Sequence, residues 1–189
     1  NGTKNIVDLV AKFNVKWFFF ASTSHVYKSQ KKKISEQSLI KPISYYGKTK
    51  YLAEQYIKKK KINYCIGRIF STTNKLQKKN YLVPDLKNKS KKKGFIKLKN
   101  LNHFRDFISI EDIAKIILLL FKKNYKGVIN IGTGKAIKLK TIAEHIFKKE
   151  KKKAEYEDNL NPTYLVAQNK KLKRLIDFKL NENILNMIY

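Results

Sequence analysis

Apolar positions divide the chain into alternating helical and extended stretches. Between Asn1 and Asn14 the residues Ile6, Val7, Leu9, Val10 and Phe13 recur with the period of a helix. Val15 to Ala21 follows as a continuous apolar and aromatic run, the pattern of a parallel strand covered on both faces. Residues 28–41 are polar and Lys-rich and are expected to form a surface loop. The pattern then predicts a helix from Tyr46 to about Lys60 and a second buried strand from Ile62 to Phe70. Further along it predicts a short strand from Gly94 to Leu98, a helix running through Phe121 with Asp112 as its cap, and a helix from Leu139 to Lys149.

Chemistry concentrates where the first strand hands over to the second helix. Tyr46 and Lys50 stand four residues apart, so on a helix both side chains share one face. A free phenol titrates near pH 10, too high for a good base at neutral pH, and a neighbouring ammonium favours the phenolate. Thr23, at the end of the first strand, has a hydroxyl that could hold a substrate oxygen beside that phenol.

This Thr…Tyr-x-x-x-Lys arrangement resembles the short-chain dehydrogenase/reductase superfamily, and its surroundings resemble the extended, nucleotide-sugar-modifying branch, the NAD-dependent epimerases and dehydratases. The stretch Gly2 to Ser22 resembles the helix and strand leading into the catalytic Ser/Thr. Glu36 and Pro42 fall where that family has an acidic residue and a proline. His103-Phe104-Arg105-Asp106-Phe107-Ile108-Ser109-Ile110-Glu111-Asp112-Ile113-Ala114 is close to its Arg-Asp-Phe/Tyr-x-x-Val-x-Asp-hydrophobic-Ala signature. Gly127-Val128-Ile129-Asn130-Ile131-Gly132-Thr133-Gly134 resembles its Tyr-Asn-Ile-Gly-x-Gly strand and turn. Asn80 to Leu86 resembles the segment that wraps the nucleotide, and Pro162 to Ala167 resembles its last shared segment.

The resemblance implies an α/β fold: the C-terminal half of a Rossmann-like doubly wound parallel sheet over residues 1–75, and mainly a small substrate-binding lobe over 76–189, some of whose segments return to the sheet. It implies NAD or NADP as cofactor, held by Tyr46, Lys50, Ser22 and Phe70, and a nucleotide-diphosphate sugar as substrate. Thr23, Tyr46 and Lys50 would be catalytic, and Thr23, Ser24, His25, Ser71, Tyr81, Leu82 and Arg105 would contact the sugar nucleotide. Arg105 would clamp phosphate by bidentate guanidinium contact, with Asp106 bracing it. Arg68 is expected to act as a structural anchor, and Ser71 replaces the family's usual Asn. The implied activity is 4-epimerisation or 4-keto-reduction, in a homodimer when whole. The family's dehydratases carry an Asp-Glu pair directly after the catalytic Thr, where this chain has Ser24 and His25, so dehydration is the lesser alternative.

Composition changes this picture little. A net charge of +29 points toward nucleic acid. Yet nearly all of it is Lys, the arginines being Arg68, Arg105 and Arg174, and phosphate and base readers rely on the guanidinium fork. The lysine runs read instead as solvated surface, with neither nucleic acid nor membrane as partner. Cys65 is alone, so there is no disulfide framework or cysteine-based zinc site, and no metal is expected. No apolar run suits a bilayer-spanning helix, no signal peptide is evident, and the expected compartment is the cytoplasm. The chain begins with Asn and lacks a Gly-rich phosphate-binding turn near its start, which reads as a fragment entering mid-domain. That leaves open a non-catalytic remnant with an exposed sheet edge, a reductase-like regulator that binds cofactor alone, and a Lys-rich nucleic-acid-binding module.

Overall fold

The computed structural model describes residues 2–74, 76–181 and 183–188. Helix α1 (Gly2–Lys12) precedes strand β1 (Phe18–Thr23), a 3-10 turn over Ser24–Val26 and helix α2 (Tyr45–Lys58). Strand β2 (Tyr64–Ile69), the short β3 (Ser71–Thr73) and helix α3 (Leu82–Ser90) follow. Next come β4 (Lys97–Lys99), β5 (Phe104–Arg105), β6 (Phe107–Ser109), helix α4 (Ile110–Lys122) and β7 (Gly127–Ile131). The chain continues through β8 (Ile137–Lys138), α5 (Leu139–Lys149), β9 (Glu155–Glu157), β10 (Tyr164–Leu165), α6 (Lys170–Leu175) and α7 (Ile184–Met187).

The main sheet has the order β1-β2-β7 and is parallel throughout, so each pair needs a crossover and the crossovers cover its faces. Alternation along β2 divides the core. Ile66 joins Val7, Phe20 and Ile57 under α1 and α2. Cys65 joins Ile113, Ile116, Leu120, Ile129 and Ile131 under α4. The apolar stripe of α4 (Ile113, Ile116, Leu120) has helical spacing, and Ser109 caps the helix by accepting from the Asp112 amide at 2.9 Å. Asp112 is therefore not the cap; its carboxylate accepts the Asn181 amide at 2.8 Å instead.

A second core lies between α3 and α5, built on Val83, Leu86, Ile142, Ile146 and Phe147, and it rests against the parallel pair β4–β9. The 28–41 stretch is more than a surface loop. Ile34 is fully buried, its amide donates to Val166 O at 2.8 Å, and the Gln168 amide donates back to Ile34 O at 2.8 Å. One buried isoleucine thus stitches the polar segment to the C-terminal part.

Candidate active site

Parallel pairing brings the C-terminal ends of β1 and β2 side by side, with Thr23 opposite Ile69. The chain leaves β1 through the turn at Ser24–Val26 and returns on α2, capped by Ser44, whose Oγ accepts the Gly47 amide at 3.0 Å. Gly47 is required by a close approach. A β-carbon there would overlap the His25 carbonyl oxygen and lie 3.2 Å from Pro42 Cβ. This contact of α2 with the turn sets Tyr46 beside His25, the rings meeting edge to face with centroids 6.1 Å apart.

Lys50 lies one turn further along α2. Its ammonium donates to Ala21 O at 2.8 Å and sits 5.9 Å from the centroid of the Tyr46 ring. Desolvation lowers its pKa from the usual lysine value. The single carbonyl contact leaves the rest of its donors for a ligand. Thr23 is buried; its Oγ1 accepts the His25 amide at 3.3 Å, which leaves the hydroxyl proton to donate. The Tyr46 hydroxyl has no hydrogen-bond partner among the described residues.

These groups open on a cavity of about 520 Å³ lined by Thr23, Ser24, His25, Tyr46, Phe70, Ser71, Tyr81, Leu82 and Arg105, among others. Ten of the eleven positions expected from the sequence therefore converge here, Lys50 from behind and nine on the wall. Ser22 is the exception. It is buried, its hydroxyl donates to Glu54 Oε1 at 2.5 Å, and it does not line the cavity. A groove of about 1640 Å³ lies beyond Phe107, lined by Lys115, Lys135, Asp112 and Asn181 among others, and contains none of the Thr23, Tyr46 and Lys50 set. The smaller cavity is the chemically equipped one.

Arg105 closes the far wall. Its guanidinium donates to Phe104 O (2.8 Å), Thr163 O (3.1 Å) and Thr163 Oγ1 (2.9 Å), with no carboxylate partner among the described residues. Desolvation pulls its pKa down, as expected for a half-buried cation without a counter-ion. The surrounding protein, and then the Arg105 charge, also hold His25 below the ordinary histidine range although solvent reaches it through the cavity. An anion in the cavity would neutralise this charge.

Asp106 does not brace Arg105. It is the link between β5 and β6 and is buried away from the cavity, where it accepts from Thr133 N (2.9 Å), Thr133 Oγ1 (2.6 Å), Gly134 N (2.8 Å) and Ala167 N (3.1 Å). Burial raises its pKa against the pull of those hydrogen bonds. Gly132 leaves room for that carboxylate, since a β-carbon would come within 2.7 Å of Asp106 Oδ2, and Gly134 takes the left-handed φ of 78° that the turn needs.

Beneath the site runs a buried polar network that sequence reasoning only partly foresaw. Arg68 lies on the α2 face of β2 and pairs with Glu54, Nη2 to Oε2 at 2.6 Å and Nε at 3.0 and 3.2 Å. Its Nη1 donates to the Tyr27 hydroxyl at 2.8 Å, which donates to Asn130 Oδ1 at 2.7 Å, and the Asn130 amide donates to Glu36 Oε1 at 2.9 Å. Burial pulls the Arg68 pKa down, but its bonds to Glu54 and Tyr27 outweigh that and the net shift is upward. Burial also pushes the Tyr27 hydroxyl up to about 12, so it stays protonated as a donor. Arg68 is thus the anchor the sequence suggested. Glu54, four residues after Lys50 on the same helix, was readable only as a carboxylate at an otherwise apolar-facing position. Among the described residues no group of three metal-ligating side chains occurs, and no helix is long and apolar enough to cross a membrane.

Comparison with known proteins bears on the family and the fold. The family model described as NAD dependent epimerase/dehydratase matches residues 1–132. The chain is 36% identical over 140 residues to GDP-6-deoxy-D-talose 4-dehydrogenase of Aggregatibacter actinomycetemcomitans, covering 71% of this chain and 47% of that protein. It is 31% identical over 149 residues to a putative UDP-glucose 4-epimerase of Methanocaldococcus jannaschii, with the same coverages of 71% and 47%. It therefore spans about half the length of the curated relatives it matches. Among solved structures, UDP-glucuronic acid 4-epimerase from Bacillus cereus, in complex with UDP-glucuronic acid and NAD, superposes with a TM-score of 0.87 at 24% identity, over 98% of this chain and 63% of that one. UDP-N-acetylglucosamine 4-epimerase from Methanobrevibacter ruminantium M1 superposes with a TM-score of 0.86 at 22% identity, over 98% and 64%. The fold is the Rossmann-type α/β fold of these enzymes.

Proposed function

This chain belongs to the NAD-dependent epimerase/dehydratase family, and from that premise we propose that it supplies the catalytic and sugar-binding part of a nucleotide-sugar 4-epimerase or 4-keto-reductase. In that reading residues 1–75 form the C-terminal half of the cofactor-binding domain and 76–189 mainly the substrate lobe. The observation that carries it is the convergence of Thr23, Tyr46 and Arg105 on one cavity with Lys50 behind the phenol. Both curated relatives are named for chemistry at a sugar 4-position.

The donor set fits the nicotinamide end of NAD. Lys50 has ammonium donors in excess of its one carbonyl contact, suited to a ribose diol, and Phe70 offers an aromatic wall. When bound, NAD supplies the acceptor and donor of hydride. Thr23 donates to the sugar oxygen and fixes it against Tyr46. Tyr46 takes the hydroxyl proton as the sugar is oxidised, or returns one as the ketone is reduced. Arg105 receives a phosphate of the sugar nucleotide and gains the counter-ion it lacks. Elimination of water fits less well, because no carboxylate lines the cavity among the described residues.

Two measurements test this reading. Titrating UDP-sugars into the protein by calorimetry should give binding that Arg105→Gln weakens at least tenfold and Tyr46→Phe leaves largely intact. With NAD and the sugar nucleotide supplied, Tyr46→Phe should abolish turnover; near-normal turnover by that variant would refute Tyr46 as the proton carrier. Nicotinamide absorbance then separates the two activities, since reduction consumes cofactor stoichiometrically and epimerisation shows no net use.

A further inference from the structure

Two lysine triplets that lie about sixty residues apart in sequence meet at one end of the small lobe. Lys91, Lys92 and Lys93 follow α3 and lead into β4; Lys151, Lys152 and Lys153 follow α5 and lead into β9. Those two strands pair in parallel, Lys97 opposite Glu155, with the Glu155 amide donating to Ile96 O at 2.9 Å. Parallel strands start from the same edge and lie ~4.8 Å apart, so the two lead-in loops lie side by side. All six lysines are exposed, and none forms an ion pair among the described residues.

Neighbouring lysines have local roles that these six lack. Lys89 pairs with Asp85, and Lys97 and Lys99 pair with Glu157. Lys148 sits in the last turn of α5, where a cation complements the helix dipole. The triplets lie past the helix ends with Glu150 and Glu155 as the carboxylates beside them in sequence, so positive charge predominates there and favours an extended anion. Between them the chain turns through Gly94, at φ 85°, and presents Phe95, which is 73% exposed.

We propose that this end of the lobe docks on an anionic lipid bilayer surface, the six lysines facing the headgroups and Phe95 entering the interfacial layer. An aromatic flanked by lysines suits a membrane interface, where the ring is buried at headgroup depth and each lysine adds electrostatic attraction. Nucleic acid is the less suitable occupant. The patch contains no arginine, and none of its residues lines either cavity described above. The contact is peripheral and leaves the candidate active site open.

Vesicle flotation tests the proposal on the whole chain, comparing phosphatidylcholine vesicles with vesicles containing about 30% phosphatidylserine at about 0.1 M salt. The chain should float only with the anionic vesicles. The triple substitution K91Q/K92Q/K93Q, and separately K151Q/K152Q/K153Q, should lower the partition coefficient about 100-fold each. K31Q/K32Q/K33Q, which removes the same charge from the 28–41 segment, should lower it less than about fivefold, since charges away from the contact are screened. Phe95→Ser should lower it several-fold without changing charge. Equal losses from all three triplets would overturn the proposal in favour of undirected charge. So would vesicle binding indifferent to Phe95 together with duplex DNA or RNA binding that the two lobe triplets abolish. Far-UV circular dichroism of each variant verifies that the fold is retained.

Discussion

Removing the charge of Glu54 isolates what holds the active-site helix on its sheet. Glu54 is fully buried on α2, and Arg68, 2% exposed, reaches it from β2 with three short nitrogen–oxygen contacts. Glu54→Gln keeps the shape but places an amide donor among the donors Arg68 and Ser22, leaving the guanidinium buried without its counter-ion. Breaking a buried pair from one side costs about 3–5 kcal/mol. With a urea m-value of about 2 kcal/mol/M for a chain of this size, the lower figure moves the unfolding midpoint down by about 1.5 M. The melting temperature falls by about 6–12 °C on the same basis. Trp17, the single tryptophan, reports the transition, because its indole donates to Tyr125 O at 2.8 Å within the folded core. The double variant Glu54→Met, Arg68→Met should lose less than Glu54→Gln alone, since no charge is then stranded, and Tyr27 keeps its bond to Asn130. A midpoint shift below about 0.3 M for Glu54→Gln, or a double variant as unstable as the sum of its parts, would refute this account.

Other substitutions probe neighbouring contacts. Gly47→Ala gains about 1 kcal/mol of helix propensity but must push α2 off the His25 carbonyl, an overpacking cost of about 1–3 kcal/mol. The displacement of Tyr46 should lower turnover about 100-fold, more than the melting temperature would suggest; unchanged kinetics would show that α2 tolerates the shift. Asp106→Asn sets an amide against the Gly134 and Ala167 N–H groups and should cost about 1–3 kcal/mol by chemical denaturation, with a loosened 132–134 turn in amide hydrogen exchange. His25 and His103 both titrate below 6.5 in the folded chain, chiefly through desolvation with Arg105 adding repulsion. Below 6.5 the unfolded chain therefore binds protons that the folded chain refuses, and stability falls as pH drops through that window. Imidazole proton resonances should show both midpoints below 6.5, and replacing both residues by Gln should flatten this slope of stability.

The extended elements were readable because their physics is local. The run Phe18 to Ala21 is apolar at every position, and β1 packs Phe20 with Val7 and Ile57 on one side and Phe19 against the α4 core on the other while Ala21 stays exposed; the Tyr46–Lys50 spacing is a property of any helix. Side-chain direction was less accessible. Asp106 directly follows Arg105, yet at the step from β5 to β6 its carboxylate is bound to the glycine turn while Arg105 lines the cavity, so adjacency in sequence meant separation in space. Ser22 next to Thr23 makes the same point: one hydroxyl faces the cavity and the other faces Glu54.

Local pattern therefore accounts for β1, β2, the helices α1, α2, α4 and α5 and the shared face of Tyr46 and Lys50, since each depends on near neighbours and on a fixed repeat, whereas Thr23 meets Tyr46 only at the cavity wall they share. Partners drawn from distant segments required the folded chain. Glu54 with Arg68, Tyr27 with Asn130, Ile34 with Val166, and the two lysine triplets beside β4 and β9 are joined by parallel pairing and crossovers, which no local period encodes. The same lysine runs that read as scattered solvated charge along the chain become one patch because two strands start at the same edge.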